Sequence, residues 1–334
     1  MLETIIDSEI FIDFCKYRST RDPDLNEKEY DEYELFWKFI KFRTNLKLVF
    51  PDSFNGQLAE NRFLTRLTSG RGDAKIDKTS KFNWPHKNIL PKDIYPGSFF
   101  CITQKDTEKR KWITSKNGLL FGFEDNYLQQ WQKLSFSGKD HITFHIRKEF
   151  EGDRFLKRWE DLSPFILPFT DVIISDRYIN DVNIRDLNLL EFICFLDRHT
   201  PVRYNFLIIT QKGGVGFLNE FERYLNEKIK ELKLKANIGI VLTSKEHDRC
   251  ILMNYLKIES GDSFNYFSKT GRIITNGTEL KLFTLSSPDN FYDASVKLKI
   301  LREIVENEKE DCRGNLNNGL FKYCEALNEK VKKA

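Results

Sequence analysis

His247 and Arg249 lie two residues apart, and Asn254 follows Arg249 after four further residues. A guanidinium at position 249 can hold a phosphate through two parallel hydrogen bonds. Asn254 supplies hydrogen bonds but lacks the negative charge that would orient and stabilise an imidazolium at His247. These residue types therefore predict recognition of a phosphate group, and they leave catalysis open.

The spacing resembles the signature of the phospholipase D-like superfamily, H-x-K-x4-D-x6-G, whose positions here hold His247, Arg249, Asn254 and Gly261. In that superfamily the histidine attacks phosphorus, the lysine holds the charge of the phosphate, the aspartate supports a histidine, and no metal is needed. The resemblance implies a catalytic set of His247, Arg249 and Asn254. It also implies phosphate contacts from Arg249 and from Ser263, which lies where the family often places a hydroxyl.

Active members of the superfamily bring two such motifs together, either from two halves of one chain or from two identical subunits. A second motif at His145 and Arg147 fails, because the downstream carboxylate, Asp153, comes one residue too late. The remaining histidines have no Lys or Arg two residues later; they are His86, His141 and His199. A catalytic form would therefore need a homodimer that supplies a second His247.

One branch of the superfamily is a closer match: the C-terminal domains of microtubule-interacting-and-transport proteins and their bacterial relatives. That branch carries a form like H-D-R-x-I, followed by an apolar strand, a glycine and an aromatic residue. Here this pattern corresponds to residues 247–251 with Ile258, Gly261 and Phe267. The resemblance covers about residues 168 to 290 and implies a non-catalytic role in phosphate binding and dimerisation. A further interpretation needs no ligand: Asp248 and Arg249 form an ion pair in a structural turn.

The C-terminal half alternates apolar strands with amphipathic helices, the rhythm of a parallel sheet covered by helices. The predicted strands are 171–175, 204–210, 237–242, 250–258 and 272–285, and the predicted helices are 184–198, 217–232 and 291–306. The Asn276-Gly277 pair predicts a hairpin turn. Functional residues of such sheets tend to lie beyond the carboxyl ends of strands, and His247 follows one of them.

The N-terminal half has a different texture. Helical spacing predicts helices at 31–43 and 55–68 around a strand at 46–50. Short apolar runs at 98–103 and 118–123 predict a small antiparallel element. The predicted fold class is α/β, with a phospholipase D-like mixed sheet flanked by helices in domain 151–334 and an α+β domain of unknown role at 1–150.

Arg177 and Tyr178 follow the predicted strand 171–175 and could line the same cleft as His247 if the two strands run in the same direction. Both are therefore candidates for phosphate binding, with a plain polar turn as the alternative. The glycine-rich run 212–216 precedes a helix, but it lacks the lysine and hydroxyl residue of a nucleotide-binding P-loop.

A basic stretch between residues 62 and 87 contains interleaved aromatic residues, a composition typical of surfaces that bind nucleic acid. Its candidate contacts are Arg62, Arg66, Arg71, Lys75, Lys78, Lys81 and Trp84. Solvated basic loops have the same composition, so both interpretations stay open.

The 334 residues carry a formal net charge of only +3, so any polyanion site must be a local patch. The six cysteines are scattered without a C-x-x-C pair, which predicts a reduced cytoplasmic location, no metal site and no cofactor. The N-terminus is acidic, and no apolar run has the length of a membrane span.

The first functional hypothesis is recognition of a phosphate or phosphodiester, most simply of nucleic acid, by a degenerate phospholipase D-like domain. A role in bacterial phage defence or another conflict system is an analogy added to it. The alternatives are a non-catalytic module that binds a protein partner or dimerises, and a metal-independent nuclease that is active as a homodimer.

Overall fold

The computed structural model describes residues 1–19, 27–49, 76–79, 96–148, 154–245, 248–275 and 277–325. In these ranges the chain forms two β-sheets that are flanked by helices. No helix of the described ranges has both the length and the apolar character needed to cross a membrane.

The N-terminal sheet has five strands, and all of its pairings are parallel. The strands are β1 (Leu2–Asp7), β2 (Thr44–Val49), β3 (Ile76–Thr79), β4 (Phe99–Ile102) and β5 (Leu120–Phe123). Their order across the sheet is β3-β2-β1-β4-β5. The connecting helices are α1 (Ser8–Ser19), α2 (Glu27–Phe42) and α3 (Thr107–Asn117), and α4 (Tyr127–Leu134) follows β5.

The predicted helix at 31–43 and strand at 46–50 correspond to α2 and β2. The apolar runs at 98–103 and 118–123 form β4 and β5, but the prediction that they pair antiparallel was wrong. The physical reason is α3, a polar helix that Asp106 caps by accepting hydrogen bonds from two backbone N–H groups. A helical connection carries the chain back to the end of the sheet at which the previous strand began, so the next strand runs parallel to it. The predicted helix at 55–68 lies outside the described residues.

The C-terminal sheet has eight strands in the order β13-β9-β8-β7-β10-β11-β12-β6. The strands are β6 (His141–Ile146), β7 (Asp171–Ser175), β8 (Tyr204–Gln211), β9 (Ala236–Thr243), β10 (Cys250–Met253), β11 (Leu256–Ser260), β12 (Thr278–Thr284) and β13 (Cys312–Gly314). The central strands β7, β8 and β9 are parallel, and the remaining pairings are antiparallel. The prediction of an α/β fold with a mixed sheet flanked by helices is confirmed.

Three long helices accompany this sheet: α5 (Glu191–His199), which continues a π-helical turn at Asp186–Leu190, α6 (Phe217–Leu232) and α7 (Pro288–Asn307). Shorter 3-10 helices lie at Phe136–Gly138, Trp159–Phe165, Lys309–Asp311 and Gly319–Cys324. Helix α7 begins with Ser287 as its N-cap residue and a proline in its first turn, where a missing N–H costs nothing.

The predicted hairpin at Asn276-Gly277 was wrong on its N-terminal side, because residues 272–275 form only an isolated bridge between Ile273 and Phe267. The observed hairpin joins β10 to β11 through the two residues Asn254 and Tyr255. Strand β6 pairs with β12, so β6 belongs to the C-terminal sheet, whereas β5 belongs to the N-terminal sheet.

The two sheets share a hydrophobic core that contains residues from both halves of the chain. Tyr255, which is buried, joins them directly: its hydroxyl donates to the Ser98 carbonyl at 2.7 Å and accepts from the Leu120 N–H at 2.8 Å. Buried polar groups at such a junction need their partners, so we expect the two sheets to unfold together.

Removing the Tyr255 hydroxyl tests this junction. We expect Tyr255→Phe to lower the free energy of unfolding by about 2 kcal/mol, because two buried backbone groups lose their partner. Denaturant unfolding followed by circular dichroism measures the change, and the exposed Tyr178→Phe is the matched control. Two separate transitions in the parent protein would contradict the shared core.

Candidate functional site

Three neighbouring strands place polar side chains together at one end of the C-terminal sheet. Ser175 of β7 pairs with Cys250 of β10, and Cys250 pairs with Glu259 of β11. The next residues along these strands therefore lie side by side: Asp176, Arg249 and Ser260. The Ser260 N–H donates to the Arg249 carbonyl at 3.2 Å, which extends the pairing to this row.

Strand alternation decides which face of the sheet each of these side chains occupies. Ile174, Ile251 and Ile258 belong to the core that packs under α5 and α6. Arg249 lies two residues before Ile251 and so points to that face. Asp248 points to the opposite face, where Lys297 of α7 pairs with it at 2.8 Å. The side chains of the adjacent residues Asp248 and Arg249 therefore point to opposite faces of the sheet.

The Arg249 guanidinium is a cationic group at this end of the sheet. The residue is half-buried, and its Nε is shielded from solvent without a hydrogen-bond partner among the described residues. An unsatisfied N–H of an arginine is a strong donor to an anionic oxygen. The residue type therefore suits the recognition of a phosphate or another oxyanion, which would have to displace the groups that shield the Nε.

Asp176 is fully buried beside Arg249. Its carboxylate accepts hydrogen bonds from the Tyr178 N–H at 2.9 Å, the Ser263 hydroxyl at 2.8 Å and the Phe264 N–H at 2.7 Å. Burial raises the pKa of Asp176, although these hydrogen bonds and the charge of Arg249 act in the opposite direction. Asp176 thus fixes the loop after β11 to the end of β7.

The loop after β11 adds two polar groups that sequence reasoning missed. The Tyr266 hydroxyl donates to Ser260 Oγ at 2.6 Å, and Asn265 Nδ2 donates to the Tyr178 carbonyl at 2.5 Å. Asn265 Oδ1 is shielded from solvent and has no hydrogen-bond partner among the described residues. A signal for Asp176 existed, since it directly follows a buried strand, but nothing in the spacing singled out Asn265 or Tyr266.

The structure brings Arg177 and Tyr178 to this same end of the sheet, because β7, β8 and β9 run in the same direction. Arg177 Nε donates to Gln211 Oε1 at 2.8 Å, across the ends of β7 and β8. Tyr178 is 47% exposed, with the Arg177 guanidinium 5.6 Å from its ring centroid. These two residues therefore lie at the same end of the sheet as Arg249, whereas a cleft shared with His247, which lies outside the described residues, stays a prediction.

Asn254 does not join this group. It lies at the opposite end of β10 from Arg249, about 16 Å away along an extended strand. Its Oδ1 accepts from the N–H groups of Thr170 and Asp171, both at 3.1 Å. Its Nδ2 donates to the Pro96 carbonyl at 2.5 Å and to Thr170 Oγ1 at 3.0 Å. The amide is fully buried and fully bonded, so its contacts are structural and the site does not include it.

Several predicted site residues cannot be placed. His247 lies outside the described residues, and so do Arg62, Arg66, Arg71, Lys75, Lys81 and Trp84. Lys78 lies in β3, where it is paired with Leu48 of β2. The catalytic role of His247 and the nucleic-acid contacts of the basic stretch therefore stay predictions.

A cleft of about 620 Å³ lies on the α7 face of β10 and β11. Its lysines already have carboxylate partners: Lys297 pairs with Asp248 at 2.8 Å and Lys257 with Glu259 at 2.9 Å. Arg249 also contributes to the lining of this cleft, whose two lysines are already neutralised by carboxylates.

The glycine-rich run 212–216 forms the connection between β8 and α6, and Gly216 adopts a left-handed φ of 82° at the start of the helix. Lys212 forms ion pairs with Glu308 at 3.0 Å and with Asp311. Those contacts hold the loop against the chain after α7, which favours a structural connector.

The N-terminal sheet has a polar group of its own at the carboxyl end of β1. Asp7 Oδ2 accepts a hydrogen bond from the Thr103 N–H at 2.6 Å, after the end of β4. Burial raises the pKa of Asp7 to about 6, and Glu9 and Glu124 act in the same direction. The strand order reverses between β1 and β4, the place where open α/β sheets bind ligands. The sequence patterns did not single out Asp7.

Within the described ranges, no group of three or more His, Cys, Asp or Glu side chains could hold a metal ion.

Comparison with known proteins adds no family. No protein-family model matches the chain, and no curated protein matches it. Similar solved structures include the phosphatidylserine synthase of Haemophilus influenzae Rd KW20, with a TM-score of 0.32 and 11% identity over 63% of this chain and 51% of that chain. Another is TrmBL2, described as an archaeal chromatin protein with a novel mode of DNA binding, with a TM-score of 0.20 and 15% identity over 34% of this chain and 36% of that chain.

The chain spans about half the length of the phosphatidylserine synthase. These TM-scores are too low to transfer a function from either structure. The fold and the site define an α/β protein whose C-terminal mixed sheet carries a half-buried arginine at one end.

Replacing Asn254 by the aspartate of the superfamily signature separates its two roles. We expect Asn254→Asp to lower the free energy of unfolding by about 3 kcal/mol, because a carboxylate oxygen would face the Pro96 carbonyl oxygen in a buried site. Thermal and denaturant unfolding measure the change, and the exposed Asn317→Asp is the control. Unchanged stability together with a new phosphodiesterase activity would contradict the structural role.

Proposed function

We propose that the Arg249 end of the C-terminal sheet binds a phosphate or phosphodiester group, and that its ligand is a nucleic acid. The observation that carries the proposal is the shielded Arg249 Nε without a hydrogen-bond partner among the described residues. The spacing of His247 and Arg249, which resembles a phosphodiesterase signature, supports the same ligand chemistry.

The surroundings of Arg249 support a nucleic acid over a free small anion. Tyr178 offers an exposed aromatic ring at the rim, and rings of this kind stack on bases. Arg177 lies beside it and adds a second positive charge for the backbone. The basic stretch between residues 62 and 87 supplies further candidate contacts from its sequence alone. A part in bacterial phage defence belongs to this proposal by analogy only.

Binding without turnover is the form of the proposal that the contacts favour. Arg249 is suited to hold a phosphate, whereas Asn254, which corresponds to the aspartate of the signature, is fully engaged at the other end of β10. Cleavage of DNA or RNA in EDTA that is lost in His247→Ala would instead establish a metal-independent nuclease.

Binding to nucleic acid should depend on salt and on Arg249. We expect affinity for single-stranded DNA or RNA to fall steeply as salt rises, because phosphate contacts release counterions. We expect Arg249→Gln to weaken binding roughly tenfold, the loss of one charge-assisted contact. Fluorescence anisotropy over a salt series measures both effects.

The matched control is Arg203→Gln, an exposed arginine that precedes β8 at the opposite end of the parallel strands. It makes the same change in net charge, so a non-specific charge effect would weaken both variants equally. Equal losses, or no binding of the parent protein at low salt, would contradict the proposal.

A second candidate function is self-association through α7. One face of this helix exposes Tyr292, Val296 and Ile300, at 49%, 37% and 45%. Two copies of α7 packed antiparallel about Val296 would place Tyr292 against Ile300 and the exposed Asp293 against the exposed Lys299. That arrangement is self-complementary in charge and in apolar contact, as a two-fold interface requires.

Val296→Asp tests self-association. We expect the variant to be monomeric at concentrations where the parent protein dimerises, because two carboxylates would meet at the centre of the interface. Light scattering coupled to size-exclusion chromatography measures the mass, and the exposed Val215→Asp is the control. A monomeric parent protein at all concentrations would exclude this function.

A further inference from the structure

Asp176 is fully buried, and the positive charge of Arg249 on the neighbouring strand acts on its carboxylate. Its three hydrogen-bond donors are neutral: two backbone N–H groups and the Ser263 hydroxyl. Among the described residues, the cation that lowers its pKa is Arg249 of the neighbouring strand. The Tyr266 hydroxyl and Asp262 lie on the loop after β11. Burial raises the pKa of Tyr266, the charges of Asp176 and Asp262 raise it further, and the charge of Arg249 acts in the opposite direction.

The Ser263 hydroxyl is committed while Asp176 is ionised. It donates its only proton to Asp176 Oδ2 at 2.8 Å, and its oxygen accepts from the Asn265 N–H at 3.4 Å. A hydroxyl in this state has no proton left to donate to a phosphate. The phosphate contact predicted for Ser263 therefore requires a change in its hydrogen bonding.

We propose that binding of an anion at Arg249 is coupled to the uptake of one proton by Asp176. The anion competes for the positive charge that compensates the buried carboxylate, and it adds a negative charge beside it. Both effects favour the neutral acid. The inference rests on the proposed function, since it concerns the same site and the same class of ligand.

The proton taken up from solvent also frees Ser263. The neutral Asp176 carries an O–H group that donates to Ser263 Oγ and reverses their hydrogen bond. The Ser263 proton then turns towards the bound anion and adds a donor to that of Arg249. One proton enters from solvent, no covalent bond to the ligand forms, and the charge of the ligand is partly compensated within the site.

Linkage fixes the sign of the pH dependence. If the bound anion raises the pKa of Asp176, then affinity increases as pH falls through the range between the free and the bound pKa. One coupled proton gives at most about a tenfold change in affinity for each pH unit. At higher pH the carboxylate stays ionised in both states, and the dependence disappears.

Calorimetric titration with dimethyl phosphate between about pH 5 and pH 8 tests the inference, because the single charge of this ligand does not change over that range. We expect the affinity of the parent protein to rise as pH falls. We also expect proton uptake on binding, seen as a dependence of the measured heat on the ionisation enthalpy of the buffer.

Two variants assign the proton. Asp176→Asn imitates the neutral acid, so we expect it to bind with little dependence on pH. Ser263→Ala should lose affinity more at low pH than at high pH, because Ser263 donates to the anion only when Asp176 is protonated. A structural role alone would lower affinity equally at every pH.

His247→Gln is the essential comparison, since a histidine near Arg249 in sequence could take up the proton instead. We expect this variant to retain the pH dependence; its loss there would assign the proton to His247 and overturn the inference. If Asp176→Asn does not fold, the pH dependence of binding by the parent protein and by His247→Gln still tests the proton coupling. Binding that is independent of pH overturns the proton coupling alone, whereas no binding at any pH overturns the proposed function itself.

Discussion

The antiparallel pairing of β10 between β7 and β11 is the constraint on which the site depends. Its register places Arg249 beside Asp176 on one side and Ser260 on the other. The turn that follows this short strand is Asn254 and Tyr255, whose side chains donate hydrogen bonds to the Pro96 and Ser98 carbonyls just before β4. The residues that hold the two halves together thus also fix the strand that presents the arginine.

Much of the C-terminal sheet could be predicted from the sequence, because its central strands are buried on both faces and its helices have one apolar face. Strand β7 and helix α6 were predicted with their observed bounds. The N-terminal parallel sheet could not be predicted, because α3 is polar around most of its surface and shows no apolar stripe. The Asn276-Gly277 signal misled because a local turn preference does not supply a strand on both sides.

The candidate site was predictable in part. Arg249 and Ser263 were found from a spacing, and the structure places both at one end of the sheet, in contact with or beside Asp176. The same spacing included Asn254, which five residues of extended chain carry to the other end of β10. The number of residues between Arg249 and Asn254 does not show that their side chains lie far apart; that follows only from the extended strand between them. Asp176 was missed because its partners come from the loop after β11, more than 80 residues later.

The most direct test of the account is the nuclear magnetic resonance signal of the Arg249 Nε–H group during titration with dimethyl phosphate. Loss of one arginine Nε–H signal in Arg249→Lys assigns it. The account predicts a saturable shift of this signal as the ligand hydrogen-bonds to it, while the signal of Arg203 stays in place. A ligand that binds and shifts other signals but leaves the Arg249 Nε–H unchanged would contradict the claim that this arginine recognises the phosphate.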